Sequence, residues 1–151
     1  MTARIQNATT QPEVMTGVQH LFKAVYGGGV PRETLELVHL RASQINGCSA
    51  CVDAGATTSA NAGVSQEKLL TLAAWYENPL FDDAERAALA LTEAATRLSD
   101  RPGAVTDEIW AEAAKHYDER QLGAVVLMVA ITNFFNRINT TFRVPAGTRW
   151  D

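Results

Sequence analysis

The only two cysteines of the chain stand three residues apart in the run Asn46-Gly47-Cys48-Ser49-Ala50-Cys51. Asn46-Gly47 is a helix-stop signal, since both residues tolerate the left-handed backbone that closes a helix. Ala50 to Ala62 then reads as helical, which puts the cysteines at the entrance of a new helix. At spacing i, i+3 the two sulfurs share one face of its first turn. Free N–H groups and the helix dipole at that end favour a negative charge and lower a thiol pKa. A thiol pair so placed can do redox chemistry: one sulfur attacks, and the other resolves. The plain alternative is a pair of small buried residues at a helix start.

Other chemistries fit less well. A zinc site needs about two more ligands at workable spacing, and His20, His39 and His116 are scattered. A thioredoxin-like site expects a βαβ setting, and no convincing strand is present. Gly27-Gly28-Gly29 is not followed by Gly-Lys-Ser/Thr, so it reads as a turn and not as a phosphate loop. No metal and no cofactor are therefore expected.

The elements that must position the thiols are helices. Pro12 stands near the start of the first, where Val14, Val18, Leu21, Phe22 and Val25 recur at helical spacing. Pro31 opens the second at a position where its missing N–H is harmless. Leu35, Val38, Ala42 and Ile45 form its apolar stripe, and Glu36 and His39 share a flank. The short Asn46-Gly47 link forces this helix beside the cysteine helix, so Glu36 lies near the thiols if its face turns inward. On pattern alone, Glu36 reads as a solvated charge.

Further along, Ala62-Gly63 ends the cysteine helix, and Ser65 caps a helix that stops before Pro79. Val64 and Leu69 form its hydrophobic staple. Asp82 to Glu85 is a capping box for an alanine-rich helix through Leu98, and Thr106 caps a short one. Asp118 to Gln121 is a second capping box. The helix it opens, from Glu119 to about Asn139, is apolar nearly all round until Asn133 and reads as the central buried rod. The sum is an all-α single domain of about seven helices over residues 12–147, with a loose arm at 1–11 and a tail at 148–151. Surplus aromatic residues, among them Trp75, Trp110, Phe134 and Phe135, suggest subunit contacts.

The chain has 151 residues and a net charge of −4, with no basic run, and its pI is about 5.3. That argues against nucleic-acid binding. No apolar signal segment opens the sequence, and Leu122 to Ile131 is too short to span a bilayer. A cytoplasmic protein is expected, where a cysteine pair is more often catalytic than structural.

The run Leu35-Glu36-Leu37-Val38-His39-Leu40-Arg41-Ala42-Ser43-Gln44-Ile45-Asn46-Gly47-Cys48-Ser49-Ala50-Cys51-Val52-Asp53 resembles the signature of the alkylhydroperoxidase D / carboxymuconolactone decarboxylase family. Ala62-Gly63-Val64, Leu69 to Trp75, Asn136-Arg137-Ile138-Asn139 and Phe142-Arg143-Val144-Pro145-Ala146-Gly147 continue the likeness. The resemblance implies an all-α fold in homotrimers or homohexamers. Its thiol branch is antioxidant: it reduces organic hydroperoxides and is re-reduced by a dithiol donor such as a lipoylated or thioredoxin-like protein. By position, Cys51 would attack the peroxide. Cys48 would resolve the sulfenic acid to a Cys48–Cys51 disulfide, and Glu36 would be the proton-relay carboxylate.

One position departs from that pattern. The family reads Cys-x-x-Cys-x-x-x-His, and here the histidine position is Gly55, while Ala50 precedes the second cysteine. Glu36 alone can accept a proton, but its negative charge raises a neighbouring thiol pKa. The helix N-terminus offsets this by only about 1 kcal/mol. The absent side chain leaves room above Cys51 for water, substrate or a histidine from another helix. His39, one turn from Glu36, is the candidate substitute; the alternative for it is the core flank or a subunit interface. Tyr26, Tyr117, Arg137 and Arg143 are expected to serve packing or structural bonds. Besides a peroxidase weakened by an incomplete relay, two readings stay open. One is a catalytically degenerate oligomeric scaffold or small-ligand binder. The other is a thiol-independent decarboxylase or lactone enzyme. If the missing relay is limiting, Gly55→His is expected to speed peroxide reduction.

Overall fold

Helix α2 (Arg32–Ile45) is the hub of the fold. In the computed structural model residues 2–5 and 11–148 are described. Around α2 stand α1 (Pro12–Tyr26), α3 (Ser49–Asn61), α4 (Gln66–Thr71), α5 (Asp83–Thr96), α6 (Asp107–His116) and α7 (Glu119–Phe142), and a 3-10 turn (Leu72–Glu77) follows α4. The described residues contain no strand. The helix α2 packs directly on α3, α5 and α7.

Its sequence explains that position. Leu35 and Val38 enter one apolar cluster, with Val25, Ala88, Leu91, Val125 and Met128. Leu37 and Leu40 enter a second, with Leu72, Trp75, Phe81 and Leu89. Each of these four side chains on α2 is at most 2% exposed, and burying one contributes about 1.5–3 kcal/mol. Arg41 adds a polar tie: its guanidinium bonds Glu93 of α5 at 2.7 and 2.8 Å, and the same carboxylate accepts from the Trp75 indole at 2.8 Å.

The capping signals behave as read. Asp82 and Asp118 head complete capping boxes, and Ser65 and Thr106 accept from the third helical N–H. Small shifts have local causes. Pro31 is the cap of α2 with Arg32 as its first helical residue, because the proline's ψ of 137° is extended. The expected helix from Ser65 breaks into α4 and the 3-10 turn, with Ala74 non-helical. Leu21 is exposed although it shares the spacing of Val18 and Val25.

Helix α7 corrects the expectation of burial all round. Leu122, Val125, Met128, Val129 and Ile131 face the core, whereas Val126 and Phe134 are exposed. It also runs to Phe142, past the expected end, which makes it long and apolar enough to cross a bilayer by length and composition alone. Here it packs on α1, α2 and α5.

Asn46 does more than stop α2. It remains right-handed, and Gly47 takes the left-handed turn at φ +65°. The Asn46 amide instead donates to Asn136 Oδ1 at 2.8 Å and Asn133 Oδ1 at 3.0 Å on α7. Asn136 in turn donates to Ser43 Oγ at 3.1 Å. These bonds hold the α2–α3 junction against α7. At the far end of α7, Arg4 donates its backbone N–H to Phe142 O at 2.8 Å and its guanidinium to Thr141 O at 3.1 Å. So Arg4 is fixed to the fold. The rest of the expected arm, residues 1 and 6–10, and the tail at 149–151 lie outside the described residues.

Candidate active site

Cys48 is the N-cap of α3, in extended backbone, and its Sγ accepts from the Cys51 N–H at 3.3 Å. That local geometry turns both sulfurs to one side, and Cys48 and Cys51 are joined as a disulfide with Cα atoms 5.2 Å apart. Cys48 is 2% and Cys51 4% exposed. Neither is sealed, because each borders a cavity partly open to solvent.

The cavity beside Cys51 has a volume of about 280 Å³ and walls from Met15, Val18, Phe22, Ala54 and Phe135, with His39 among them. The cavity beside Cys48 is about 430 Å³, walled by Gly47, Ser49, Thr140 and the loop 143–146. Asn139 borders both. It donates from Nδ2 to Cys51 Sγ at 3.4 Å, while its buried Oδ1 has no partner among the described residues.

Glu36 is 1% exposed, so the solvated reading of its pattern fails. The Tyr26 hydroxyl donates to Oε1 and the Thr58 hydroxyl to Oε2, both at 2.7 Å. His39 Nδ1 lies 3.7 Å from Oε2, and Arg32 Nε lies 3.7 Å from Oε1. Arg32 also stacks on the Tyr26 ring at 4.8 Å. Burial pushes the Glu36 carboxyl up, but the nearby His39 and the hydrogen bonds from Thr58 and Tyr26 outweigh burial and hold it below its ordinary 4.5. Tyr26 is pushed the other way, by burial and by the Glu36 charge it faces.

The room over Gly55 is occupied. A Cβ there would meet Leu40 Cδ1 at 3.2 Å, Leu40 Cα at 3.4 Å and His39 Cε1 at 3.5 Å. Leu40 is the nearer neighbour, and the imidazole of α2 borders the space that a side chain at position 55 of α3 would take. Of the groups considered from the sequence for that room, a histidine from another helix stands against it. His39 contacts Glu36 and borders the same cavity as Cys51. His20 is exposed, His116 pairs with Glu112 at 3.5 Å on α6, and neither borders these cavities. Among the described residues no group of three or more His, Cys, Asp or Glu could hold a metal.

Three residues gain a place that spacing did not give them. Tyr26 bonds Glu36 and does not merely pack. Thr58 lies one turn beyond Gly55 on α3, a position that an inward Glu36 would have marked. Asn139 belongs to the terminal motif and touches Cys51. Arg137 makes the expected structural bond, to Asn133 O at 3.2 Å. Arg143 does not, because its guanidinium has no partner among the described residues. It is also the one described non-glycine residue with positive φ, at +57°, a conformation costing about 1–2 kcal/mol outside glycine.

The chemistry such a set can do is the passage of protons and two electrons: a disulfide that can open to a dithiol, an imidazole bordering the same cavity as Cys51, and a fixed carboxylate next to that imidazole. Known proteins share its frame. The YdfG protein of Bacillus subtilis (strain 168), itself uncharacterized, is 32% identical over 149 residues, spanning 99% of this chain and all of that one. The uncharacterized YnjA protein of Escherichia coli (strain K12) is 36% identical over 110 residues, which are 73% of this chain and 59% of that protein. Among solved structures, ATU0492 of Agrobacterium tumefaciens, a protein of unknown function and putative antioxidant defence protein AhpD, superposes with a TM-score of 0.87 at 29% identity. That match covers 98% of this chain and 100% of that one. The debrominase Bmp8 shares the fold at a TM-score of 0.79 and 23% identity, over 91% of this chain and 73% of that one. The family model for carboxymuconolactone decarboxylases matches residues 12–94, which carry Glu36, His39 and both cysteines. With its all-α AhpD-like fold and a relative matched end to end, this chain belongs to the carboxymuconolactone decarboxylase family.

Proposed function

We propose that the protein is a dithiol–disulfide oxidoreductase that reduces hydroperoxides through Cys51 and Cys48, with His39 as its general base. The observation that carries this reading is His39, which borders the Cys51 cavity with Glu36 behind it and its ring over Gly55. In the reduced protein, His39 takes the Cys51 thiol proton. The thiolate attacks the peroxide oxygen, the O–O bond breaks, and the imidazolium returns the proton to the departing alkoxide. Cys51 is then a sulfenic acid and the product an alcohol. Cys48 attacks that sulfur, expels water and forms the disulfide; a dithiol donor restores the pair by exchange.

Glu36 has a different task from the one the resemblance implied. A carboxylate held below its ordinary pKa stays ionised at neutral pH and is a poor proton carrier. It orients the His39 ring and stabilises the imidazolium, as the buried Asp does in a hydrolase triad. The apolar walls suit a hydroperoxide with a hydrocarbon body. Cytoplasmic placement fits a pair that must be re-reduced. Exposed Trp110, Phe134 and Leu98 suit the proposed homotrimer or homohexamer.

The test is consumption of tert-butyl hydroperoxide with dithiothreitol as donor. Cys51→Ser is expected to abolish turnover, and His39→Ala to lower it by roughly a hundredfold. Wild-type rates in either variant sink the proposal. A second reading uses the same sulfurs. The apolar cavity at Cys51 also fits a small halogenated ring, and a cysteine-to-alanine variant of Bmp8 has been solved in complex with 2,3,4-tribromopyrrole. Release of bromide from that compound by the dithiol form, with no peroxide turnover, selects this second reading.

A further inference from the structure

The two sulfurs face different surroundings. Apart from Asn139, no described residue borders both cavities. Cys51 is reached through apolar walls from α1 and α7, with His39 present. Cys48 is reached from the opposite set, where Gly47, Ser49 and Thr140 meet the loop Arg143-Val144-Pro145-Ala146. That loop is held in place: Val144 N–H donates to Asn139 O at 2.9 Å, and Gly147 N–H donates to Asp53 Oδ2 at 3.0 Å on the cysteine helix. Among the described residues, Arg143 is the only charged one bordering the Cys48 cavity. Its guanidinium is free of partners among the described residues, and its backbone is held left-handed where glycine is the usual choice. A second unmet group lies between the cavities, the buried Oδ1 of Asn139.

We infer that the disulfide has two entrances with separate traffic. The oxidising substrate arrives at Cys51, and the reductant arrives through the Cys48 cavity, where Arg143 selects a thiol that carries an anionic group. This rests on the dithiol reading above and adds the site and chemical class of the reductant. The exchange balances without any other reactant. A thiolate of the donor attacks Cys48 Sγ, forming a mixed disulfide and expelling Cys51 as a thiolate. The Asn139 Nδ2 already on that sulfur stays bonded to it, and Cys51 then takes a proton from solvent or His39. The donor's second thiolate attacks its own sulfur in the mixed disulfide and releases Cys48. Two electrons have passed, and the donor leaves as a disulfide. Asn139 Oδ1 supplies an acceptor for a thiol proton in the reduced pair.

Because the two cavities are separate, occupation of one leaves the other open. Substrate and reductant then act in a double-displacement scheme without competing.

The experiment starts from the disulfide form and needs no peroxide. Dihydrolipoate and dihydrolipoamide, one dithiol with and without a carboxylate, serve as probes, and reduction is followed by rapid alkylation and mass spectrometry. The wild type is expected to react faster with dihydrolipoate. Arg143→Gln is expected to remove that preference, a change of about fivefold for an exposed pair. Thr140→Trp, narrowing the Cys48 side, should slow reduction by roughly tenfold more than it slows oxidation of the reduced pair by tert-butyl hydroperoxide. Val18→Phe on the Cys51 side should do the reverse. In the wild type, brief exposure to 3-mercaptopropionate and acid quenching should leave the mixed disulfide on Cys48 by peptide mapping.

A mixed disulfide on Cys51, or equal slowing of both half-reactions by each variant, overturns the inference. An Arg143→Gln protein that keeps its preference for dihydrolipoate overturns the assignment of Arg143. A dithiol form that no hydroperoxide oxidises instead defeats the proposed function, while the mapped attack on Cys48 still decides this one.

Discussion

Moving the imidazole back to α3 is the sharpest test of what His39 does. Consider three variants: Gly55→His, His39→Ala and the two combined. In the single Gly55→His protein, the new Cβ lies 3.2 Å from Leu40 Cδ1, a flexible atom that can give by a few tenths of an ångström. The ring beyond it has less freedom, because that Cβ is already in contact with His39 Cε1 at 3.5 Å and with Leu40 Cα at 3.4 Å. Overpacking of this kind costs about 1–3 kcal/mol. Replacing glycine by histidine inside a helix returns only about 0.4 kcal/mol. The net is a loss of roughly 1–2 kcal/mol. The sequence-based expectation of a faster Gly55→His enzyme is thereby reversed for the single substitution. His39→Ala removes the neighbouring ring and, with it, the proposed base, which should lower turnover by roughly a hundredfold. The double variant frees the space and supplies a ring from α3. It should be more stable than additivity allows by about 1–2 kcal/mol and recover about tenfold in rate over His39→Ala. Urea denaturation of the four proteins gives the coupling, and hydroperoxide turnover gives the recovery. Stabilities that add within about 0.5 kcal/mol, together with a double variant no faster than His39→Ala, refute the claim that the two positions serve one imidazole site.

Other expectations follow from the same geometry. Gly55→Ala places a single methyl against Leu40, so the helix gain of about 1 kcal/mol should leave the protein neutral or slightly more stable by urea midpoint. Because the Glu36 carboxyl is held low by its donors, its ionised form stabilises the fold above the ordinary value of 4.5, and this is lost as pH falls through the lower folded value. Glu36→Gln should flatten that acid loss and cost about 1–3 kcal/mol at neutral pH, since an amide must turn its NH2 toward Tyr26 or Thr58; an unchanged acid limb in chemical denaturation counts against the assignment. Tyr26→Phe removes one donor, so Glu36 should titrate higher by NMR and stability fall by about 1 kcal/mol. Reducing the disulfide opens a very short loop, and the urea midpoint should drop by an amount equivalent to about 2 kcal/mol if the unfolded chain is its main target.

Much of this fold could be read from residue types. The two capping boxes, Ser65, Thr106 and the cysteine helix stand where local hydrogen bonding demanded, because caps depend on side chains two or three residues away. Glu36 could not be settled in that way. Its neighbours in sequence suit a solvated flank, and only its meeting with Tyr26 of α1 and Thr58 of α3 makes burial tolerable. His39 was legible as a candidate from its spacing to Glu36, but its contact with the Gly55 gap depends on how α2 crosses α3. The exposed stripe of α7 was invisible for a similar reason: Val126 and Phe134 are as apolar as Val125 and Ile131, and only the bundle decides which side is covered. The role of Asn46 was half read, since the turn belongs to Gly47 and its amide belongs to α7.

The ring over Gly55 has a consequence for how such enzymes are recognised. A linear pattern that demands histidine one turn after the second cysteine would discard this chain as inert. Yet a ring borne on one of two crossing rods can stand against the other where that other contributes a residue without a side chain, as His39 stands against Gly55. Relatives are better sorted by asking whether positions 39 and 55 trade histidine for a small residue than by asking what either holds alone.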